Sequence, residues 1–505
     1  MRRKRLLYNT VTSLMYEAAT IICGFILPRF ILGAFGSEVN GLTNSITQFL
    51  AIISFMELGV GSVVKSSLYK PLADNNTDEI SKVIASADKF FRRIATILAV
   101  YVTLLAFVYP VFANQDFGFT YTASLIIIIS IRSFAQYYFG IVNRLLITAD
   151  QKGYIHYIVQ TVAVIANTAI CCVLIVFDWS IHVVKLATSI IYLLQPFAIY
   201  LYVRKKYNLN RKIKYEGEPI KQKWNGMAQH IAAVVLNHTD TVVLTLFATM
   251  SDVSVYSVYF LVVKGVKQLF LSMTNGIQSL IGELWAKQEL DELKKTFGWV
   301  EWVIHTGTIY VFGVTMVLIV PFIQVYTDGI NDANYIQPLF AILLTAAHAG
   351  HCLRLPYNIM ILAGGHYKET QSNYIIAAFL NVIISVAVVS KWGLIGVAIG
   401  TLVAMLYQTV WMACYDSRNL IQWPLKYFMK QMIVDAISLG GIYTTGNLFT
   451  MIKISYIAWI LLAIEVAVLA LVVVALINML FYRDRVHDLI QQCHKRMNKN
   501  NVLRR

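Results

Sequence analysis

Residues 204–223 read RKKYNLNRKIKYEGEPIKQK and contain eight Lys and Arg. This polar segment lies near the middle of the 505-residue chain, and nearly all of the sequence on either side of it is apolar. The apolar sequence divides into runs of about 20 residues with few or no charges, the length that a helix needs to cross the hydrocarbon layer of a bilayer. The basic segment therefore separates two halves of a membrane-spanning chain.

The composition excludes a soluble globular protein of this length. Hydrophobic residues make up 58% of the chain and charged residues only 14%, too few to cover a soluble surface. The net charge of +15 comes from the short connections between apolar runs, where membrane topology explains it, so no nucleic-acid partner is expected. The six cysteines show no CxxC spacing, and we expect neither disulfide bonds nor a metal site.

Hydropathy predicts fourteen spans, and all of them should be helices because a lipid-exposed backbone must satisfy its hydrogen bonds internally. Their ranges are 9–34, 40–64, 91–113, 121–143, 155–177, 182–203, 226–249, 254–283, 300–326, 336–362, 372–390, 394–415, 430–450 and 455–482. Of the 42 Lys and Arg, 34 lie in or beside connections on the side of the N-terminus, and the opposite loops hold only Lys391 and Lys453. The positive-inside rule therefore predicts that both termini are cytoplasmic.

The two halves of the chain repeat each other at an offset close to 214 residues. Residues 78–82, DEISK, follow the second span, and residues 291–295, DELKK, follow the eighth; Asn167 and Asn381 occupy matching places in the fifth and eleventh spans. Parallel repeats of this kind occur in transporters that bind their substrate between the halves. The predicted domains are a six-helix lobe at 1–210, a basic cytoplasmic linker at 211–224, a second six-helix lobe at 225–420, two appended helices at 421–482 and a basic cytoplasmic tail at 483–505.

No constellation of catalytic residues is present in the sequence. It contains no HExxH metal motif, no GxSxG nucleophile elbow and no GxxxxGK[ST] phosphate loop. Without a nucleotide site the chain is not expected to be an ATP-driven pump, and no cofactor is expected. The loops opposite the basic side have about ten residues or fewer, too short for the catalytic groups of a polysaccharide polymerase or ligase. A carrier is therefore favoured over an enzyme.

Charges inside the predicted spans are the candidate functional residues. Each costs about 2.5–3.5 kcal/mol at the centre of a spanning helix, so such residues usually face a cavity or a partner. Five cations from both halves suit a cavity that accepts an anionic head group, because guanidinium and ammonium groups bind phosphate oxygens. These candidate substrate-binding residues are Arg29, Arg132, Lys264, Lys267 and Arg354. The helix that carries Arg354 is expected to break at Pro356.

Three carboxylates in the predicted spans are candidates for ion coupling: Glu17, Glu57 and Asp240. The ordinary interpretation is ion pairing between adjacent helices. The functional interpretation is coupling of transport to a proton or sodium gradient. Asp435 and Glu465 are set aside because they lie on the two appended helices.

Two stretches carry a resemblance to a known family. Residues 27–42 read LPRFILGAFGSEVNGL and residues 55–72 read FMELGVGSVVKSSLYKPL. They resemble the polysaccharide-synthesis flippases of the multidrug/oligosaccharidyl-lipid/polysaccharide (MOP) exporter superfamily. The shared elements are an apolar helix ending near an arginine, an LGxxGSE turn, an Asn-Gly-Leu triplet and an LGxG step. With the twelve repeated spans and the basic central segment, the resemblance extends over residues 1 to about 420.

The resemblance implies an all-α polytopic membrane protein with two parallel six-helix repeats in a MATE-like fold, here with two appended helices. Members of the family carry a lipid-linked oligosaccharide, commonly on undecaprenyl pyrophosphate, to the outer leaflet of the bacterial inner membrane. The implied partners are this polyprenyl-pyrophosphate-linked glycan, membrane lipids, a polysaccharide polymerase and glycosyltransferases.

Two other functions found in the same superfamily are alternatives. The predicted count of fourteen spans is similar to that of the lipid II flippases of peptidoglycan synthesis, which line their cavity with cations on spans one and eight. Arg29 and Lys264 take similar places in this sequence. The other alternative is a cation-coupled multidrug antiporter, although a mainly cationic cavity would repel cationic drugs.

Overall fold

The computed structural model describes residues 2–56, 60–112, 117–211, 213–215, 217, 220, 227–366, 368–489 and 491. Every regular element in these residues is helical, which confirms the predicted all-helical, multi-span class. The helices are α1 (Arg2–Ile52), α2 (Val60–Ala73), α3 (Thr77–Phe112), α4 (Phe119–Ala135), α5 (Ile141–Ala149), α6 (Gly153–Val176), α7 (Ile181–Lys206), α8 (Met227–Phe247), α9 (Met250–Ala286), α10 (Leu290–Tyr326), α11 (Pro338–Leu353), α12 (Leu355–Ala363), α13 (Gln371–Asn419), α14 (Leu425–Gly446) and α15 (Tyr456–Phe481). A 3₁₀ turn covers Ile53–Met56, and a π-helical turn covers Gln136–Gly140.

Ten helical stretches in the described part of the chain are long and apolar enough to cross a membrane. Two of them, α1 and α13, are each interrupted by a glycine with non-helical backbone angles: Gly36 (φ 79°, ψ 176°) and Gly393 (φ 49°, ψ −123°). Glycine adopts a positive φ without the steric cost that a Cβ would add. Each of these stretches therefore consists of two helical segments, and the breaks fall where the sequence predicts one span to end and the next to begin. The count of fourteen spans stays a prediction.

The break at Gly36 is held by a carboxylate from a distant loop. The backbone N–H of Ser37 donates to Asp332 Oδ2 at 2.6 Å, and the Ser37 hydroxyl donates to Asp332 Oδ1 at 2.6 Å. The first amides of a helical segment lack a partner within the helix, and an oxygen acceptor normally satisfies one of them. Asp332 therefore acts as the N-terminal cap of the second segment of α1.

The chain divides into two compact units, termed here the first and the second unit. The first unit comprises Met1–Leu261, Gly329–Asn334 and Tyr374–Val397, and the second comprises Val262–Asp328, Tyr335–Asn373 and Ala398–Arg505. The boundaries of the lobes, the linker and the tail stay predictions.

In the first unit, α1 contacts the start of α9 at equivalent positions of the predicted repeat. Asn40 Nδ2 donates to Ser254 Oγ at 2.8 Å, and the two residues are 214 positions apart. A Cβ placed on Gly41 would lie 1.8 Å from the carbonyl oxygen of Met250. The two backbones approach each other so closely at this point that only glycine fits.

In the second unit, α14 and α15 pack against α10. Trp302 Nε1 of α10 donates to Asn478 Oδ1 of α15 at 2.8 Å. The apolar core between these helices contains Ile309, Leu318, Ile442, Leu462, Val466 and Ala470. The two helices predicted to be appended therefore pack against α10 through a buried apolar core.

Candidate functional site

The second unit brings two of the five predicted cations together. Lys267 of α9 and Arg354, at the C-terminal end of α11, are 8% and 7% exposed. Both interact electrostatically with the imidazole of His351, and so does His348. Lys267 also interacts electrostatically with His348. Lys267, His348, His351 and Arg354 are termed the basic cluster.

Two side chains from different helices hold Arg354. Its Nη2 lies 3.1 Å from Nδ1 of His351, and its Nη1 donates to Oε1 of Gln408 on α13. The helix break expected at Pro356 is present, since α11 ends at Leu353 and α12 begins at Leu355. Arg354 therefore lies at the junction of α11 and α12, and its guanidinium is hydrogen bonded to a side chain of α13.

The basic cluster is suited to binding an anion. A guanidinium offers a planar fork of N–H donors and an ammonium offers a compact charge, and both match phosphate oxygens. Charges interact more strongly in the protein interior than in water, and like charges that are buried together repel each other. An anionic group bound among these side chains would relieve that repulsion.

The other three predicted cations have different environments. Lys264 is exposed, one turn before Lys267 on α9. Arg29 is partly buried, and its Nη1 would lie 3.3 Å from a Cβ placed on Gly33 of the same helix. Arg132 is exposed, with its guanidinium 3.8 Å from the ring centroid of Tyr192.

Arg132 also lines a polar pocket in the first unit, beside the π-helical turn. Such turns are frequent at functional sites because they displace side chains from the regular helix register. The polar side chains of this pocket are Arg132, Gln136, Arg144, His156, Gln160 and Gln195. The predicted role of Arg132 in head-group contact stays a prediction, and the pocket adds a second arginine, Arg144, to its surroundings.

Asp240, a predicted coupling residue, occupies a hydrogen-bonded site in the first unit. It is 3% exposed on α8. The Tyr256 hydroxyl donates to its Oδ2 at 2.9 Å, and Asn381 Nδ2 donates to its Oδ1 at 3.3 Å. Ser385, one turn after Asn381, is fully buried, and its hydroxyl has no hydrogen-bond partner among the described residues. A buried carboxylate beside neutral oxygen groups can take a proton or a small hard cation.

The two remaining carboxylates are less informative. Glu17 is partly buried on α1, and Glu57 lies outside the described residues. In the part of the chain that the structure describes, no group of three or more His, Cys, Asp or Glu side chains could hold a metal ion.

The histidines of the basic cluster were not anticipated from the sequence. His348, His351 and Arg354 follow each other at intervals of three, a spacing that puts side chains on one face of a helix. This pattern could have revealed them. Gln408 carried no comparable signal, because it reaches Arg354 from another helix.

No protein-family model and no curated protein sequence matches this chain. Solved structures do match it. The structure described as lipid II flippase MurJ in an inward closed conformation superposes with a TM-score of 0.69 at 15% identity, covering 95% of this chain and 100% of that one. An inward-facing multidrug resistance MATE family transporter of the MOP superfamily gives a TM-score of 0.59 at 15% identity, covering 79% and 94%. The eukaryotic MATE transporter AtDTX14 superposes with a TM-score of 0.57 at 12% identity, and the match covers 85% of this chain and 99% of that one.

These matches show that the chain shares the fold of these solved transporters, one of which is described as belonging to the MOP superfamily. They confirm the resemblance inferred from residues 27–72 at the level of the fold. The three solved structures are described as one flippase and two transporters.

Proposed function

We propose that this chain is a flippase that moves a lipid-linked oligosaccharide, carried on polyprenyl pyrophosphate, across the bacterial cytoplasmic membrane for cell-surface polysaccharide synthesis. The observation that carries the proposal is the basic cluster, in which Lys267 and Arg354 are buried beside His348 and His351. A pyrophosphate concentrates negative charge in one small group and therefore matches several cations gathered in one place.

The proposed mechanism is alternating access by fourteen spans with both termini in the cytoplasm. Two six-helix lobes rock about a central cavity, the sugars remain in water and the lipid tail remains in the bilayer. A ligand shifts such a carrier only through different affinities for its two conformations, so the basic cluster must hold the pyrophosphate more tightly in one of them. Arg29, Arg132 and Lys264 add positive charge along the path. Glycosyltransferases supply the substrate, and a polysaccharide polymerase consumes it.

Transport in proteoliposomes tests this proposal. A lipid-pyrophosphate oligosaccharide is placed in one leaflet, and its arrival in the other is measured. The transport rate of a double variant, Lys267→Gln/Arg354→Gln, should be lower than that of the wild type by a factor of about ten or more. The reason is that each hydrogen bond to a charged group that the variant removes contributes about 1.5–3 kcal/mol. Lys453→Gln, which removes an exposed cation between α14 and α15, is the control and should keep the wild-type rate. An unchanged rate in the double variant would place the binding site elsewhere.

A lipid II flippase is the second candidate, because the match to MurJ covers 95% of this chain. Its substrate also presents an anionic head group on a lipid, so the basic cluster would serve either substrate. The same proteoliposomes decide between the two when lipid II and the oligosaccharide compete. Faster movement of lipid II would replace the first candidate by the second.

We infer further that Asp240 couples transport to a proton or sodium gradient. Its carboxylate is almost fully buried and receives hydrogen bonds from the hydroxyl of Tyr256 and the side-chain amide of Asn381. Asp240→Asn should leave transport measurable but no longer dependent on an imposed gradient.

A cation-coupled drug antiporter predicts instead that a small cation leaves the vesicle in an Asp240-dependent manner. Such efflux without glycolipid movement would overturn the flippase proposal.

A further inference from the structure

Three buried carboxylates that play no part in the proposed function lie in the second unit. Glu301 of α10 is 3% exposed, Asp416 of α13 is 1% exposed and Asp435 of α14 is 3% exposed. Asp416 lies three residues before the end of α13, whereas Glu301 and Asp435 lie inside α10 and α14. Together with His305 and Tyr357 they are termed the acid cluster.

Glu301 has both carboxylate oxygens hydrogen bonded. The Tyr357 hydroxyl donates to its Oε1 at 2.7 Å, and Trp423 Nε1 donates to its Oε2 at 3.0 Å. Both donors are neutral. They stabilise the carboxylate without balancing its charge.

Asp435 is also satisfied, and it has a basic partner. His305 Nδ1 lies 2.6 Å from its Oδ2, and Gln431 Nε2 donates to its Oδ1 at 2.9 Å. His305 and Asp435 form a buried pair whose charges can cancel within the pair. His305 also interacts electrostatically with Glu301, so one imidazole serves two carboxylates.

Asp416 differs from both. Neither of its carboxyl oxygens has a hydrogen-bond partner among the described residues, although the side chain is almost fully buried. It interacts electrostatically with Glu301 and with Tyr357, so it belongs to the same cluster. A buried carboxylate without a hydrogen-bond donor is neutralised rather than held as an anion, and neighbouring carboxylates share a proton instead of both ionising.

In the described part of the segment after α15, Arg485 is the cation that faces Glu301. It interacts electrostatically with Glu301 and donates to the backbone carbonyl of Gly298 on α10. Among the described residues, the imidazole of His305 and the guanidinium of Arg485 can balance two of the three carboxylates, and the third needs a proton. Among the described residues, the titratable and charged groups around Glu301 and Asp416, taken from every element packed against them, are His305 (α10), Tyr357 (α12), Tyr415 (α13), Asp435 (α14), and Tyr482 and Arg485 after α15.

We propose that Glu301 and Asp416 form a proton-binding site that holds one proton, on Asp416, in the conformation described here. Release of the proton to water leaves two carboxylates beside one guanidinium, which draws Arg485 from the Gly298 carbonyl toward them. Arg485 and Tyr482 are partly exposed, so water reaches the site from this side. The site thus links proton occupancy to the positions of the end of α13 and of the segment after α15. It is separate from Asp240, which lies in the first unit.

The experiment uses the full-length protein in lipid nanodiscs without any substrate. Infrared difference spectroscopy in H₂O and D₂O detects the carbonyl band of a buried protonated carboxyl group. The wild type should show this band, and Asp416→Asn should lose it. Asp484→Asn, which changes an exposed acid next to Arg485, is the matched control and should keep it. A band of unchanged intensity in Asp416→Asn, or the absence of a band from the wild type, would overturn the proposal; Asp240→Asn in the same background assigns any band that remains.

Trp423 provides a second readout, because its indole N–H donates to Glu301. Raising the pH should remove the shared proton, place a second negative charge near the indole and change its fluorescence. Asp416→Asn should abolish that change, and Trp423→Phe assigns the signal. Should Asp416→Asn fail to fold, Glu301→Gln replaces it. This variant removes the negative charge that faces Asp416, so the infrared band should disappear at a lower pH than in the wild type. An unchanged pH of disappearance in Glu301→Gln contradicts the coupling of the two carboxylates.

Discussion

The basic cluster and the acid cluster are both buried in the second unit, and each contains histidine one helical turn from a charged residue. They differ in the sign of the charge around the imidazole. His351 interacts with Lys267 and Arg354, whereas His305 interacts with Asp435 and Glu301. Burial alone therefore does not define what a polar cluster binds. The two proposals rest on the sign of the charge in each cluster, because cations favour a phosphate and carboxylates favour a proton.

One helix contributes to both clusters. Gln408 of α13 accepts a hydrogen bond from Arg354 of the basic cluster, and Asp416 of the acid cluster lies further along the same helix. The eight-residue separation corresponds to about 12 Å along a helix. A movement of the second segment of α13 would therefore change both environments together.

The largest expected effect on stability comes from breaking the pair within the acid cluster. Asp435→Ala leaves His305 buried without its carboxylate, and removing one partner of a buried ion pair costs about 3–5 kcal/mol. The midpoint of thermal unfolding in detergent should fall markedly. Glu465→Ala, which removes an exposed acid from α15, is the control and should leave the midpoint within error. Equal midpoints for the two variants would mean that His305 and Asp435 do not depend on each other.

The next effect concerns the close packing beside Glu301. A Cβ placed on Gly298 would lie 2.7 Å from the ring of Trp423 and 3.1 Å from Nη2 of Arg485. Gly298→Ala should therefore destabilise the protein by about 1–3 kcal/mol, the usual cost of overpacking, and should shift the fluorescence of Trp423.

Gly307→Ala is the matched control on α10, because its Cβ would meet Phe270 at an ordinary 3.6 Å. Alanine favours a helix over glycine by about 1 kcal/mol, so this variant should be neutral or slightly more stable than the wild type. A loss of stability as large as that of Gly298→Ala would show that the contact with Trp423 and Arg485 is not responsible.

A smaller effect is expected when the basic cluster keeps its charge but loses its geometry. Arg354→Lys preserves a cation but cannot contact His351 and Gln408 at the same time with a planar fork. Transport of the lipid-pyrophosphate oligosaccharide should fall about tenfold, which corresponds to about 1.4 kcal/mol. Full activity in Arg354→Lys would mean that only the charge of Arg354 matters.

The smallest effect is expected at Lys264, the exposed neighbour of Lys267. Exposed charges are screened by water and salt, so Lys264→Gln should reduce transport by less than about threefold. Lys267→Gln should reduce it more, because its ammonium is buried beside two histidines. Equal losses in the two variants would place the substrate on the exposed side of α9 as well as in the basic cluster.

The sequence located Lys267 and Arg354 because an isolated charge in an apolar run is conspicuous. It did not locate Glu301 and Asp416, which lie at the edges of the predicted spans 300–326 and 394–415. Charged residues are common at the ends of spanning helices, so the positions of Glu301 and Asp416 in the sequence did not indicate that both side chains are buried. The lipid-facing and core-facing sides of the apolar helices were equally hard to separate, since both are hydrophobic.

The sequence by itself determined that this chain is a multi-span helical membrane protein with boundaries between spans close to Gly36 and Gly393, because helix length and hydropathy are local properties of a segment. Only the tertiary structure decided which charges share a site. Lys267 lies near Arg354, and Asp416 lies near Glu301, through contacts between helices that are distant in the chain. Such contacts depend on how all the helices of a unit pack, and the charge surplus that gives each cluster its chemistry exists only after they have packed.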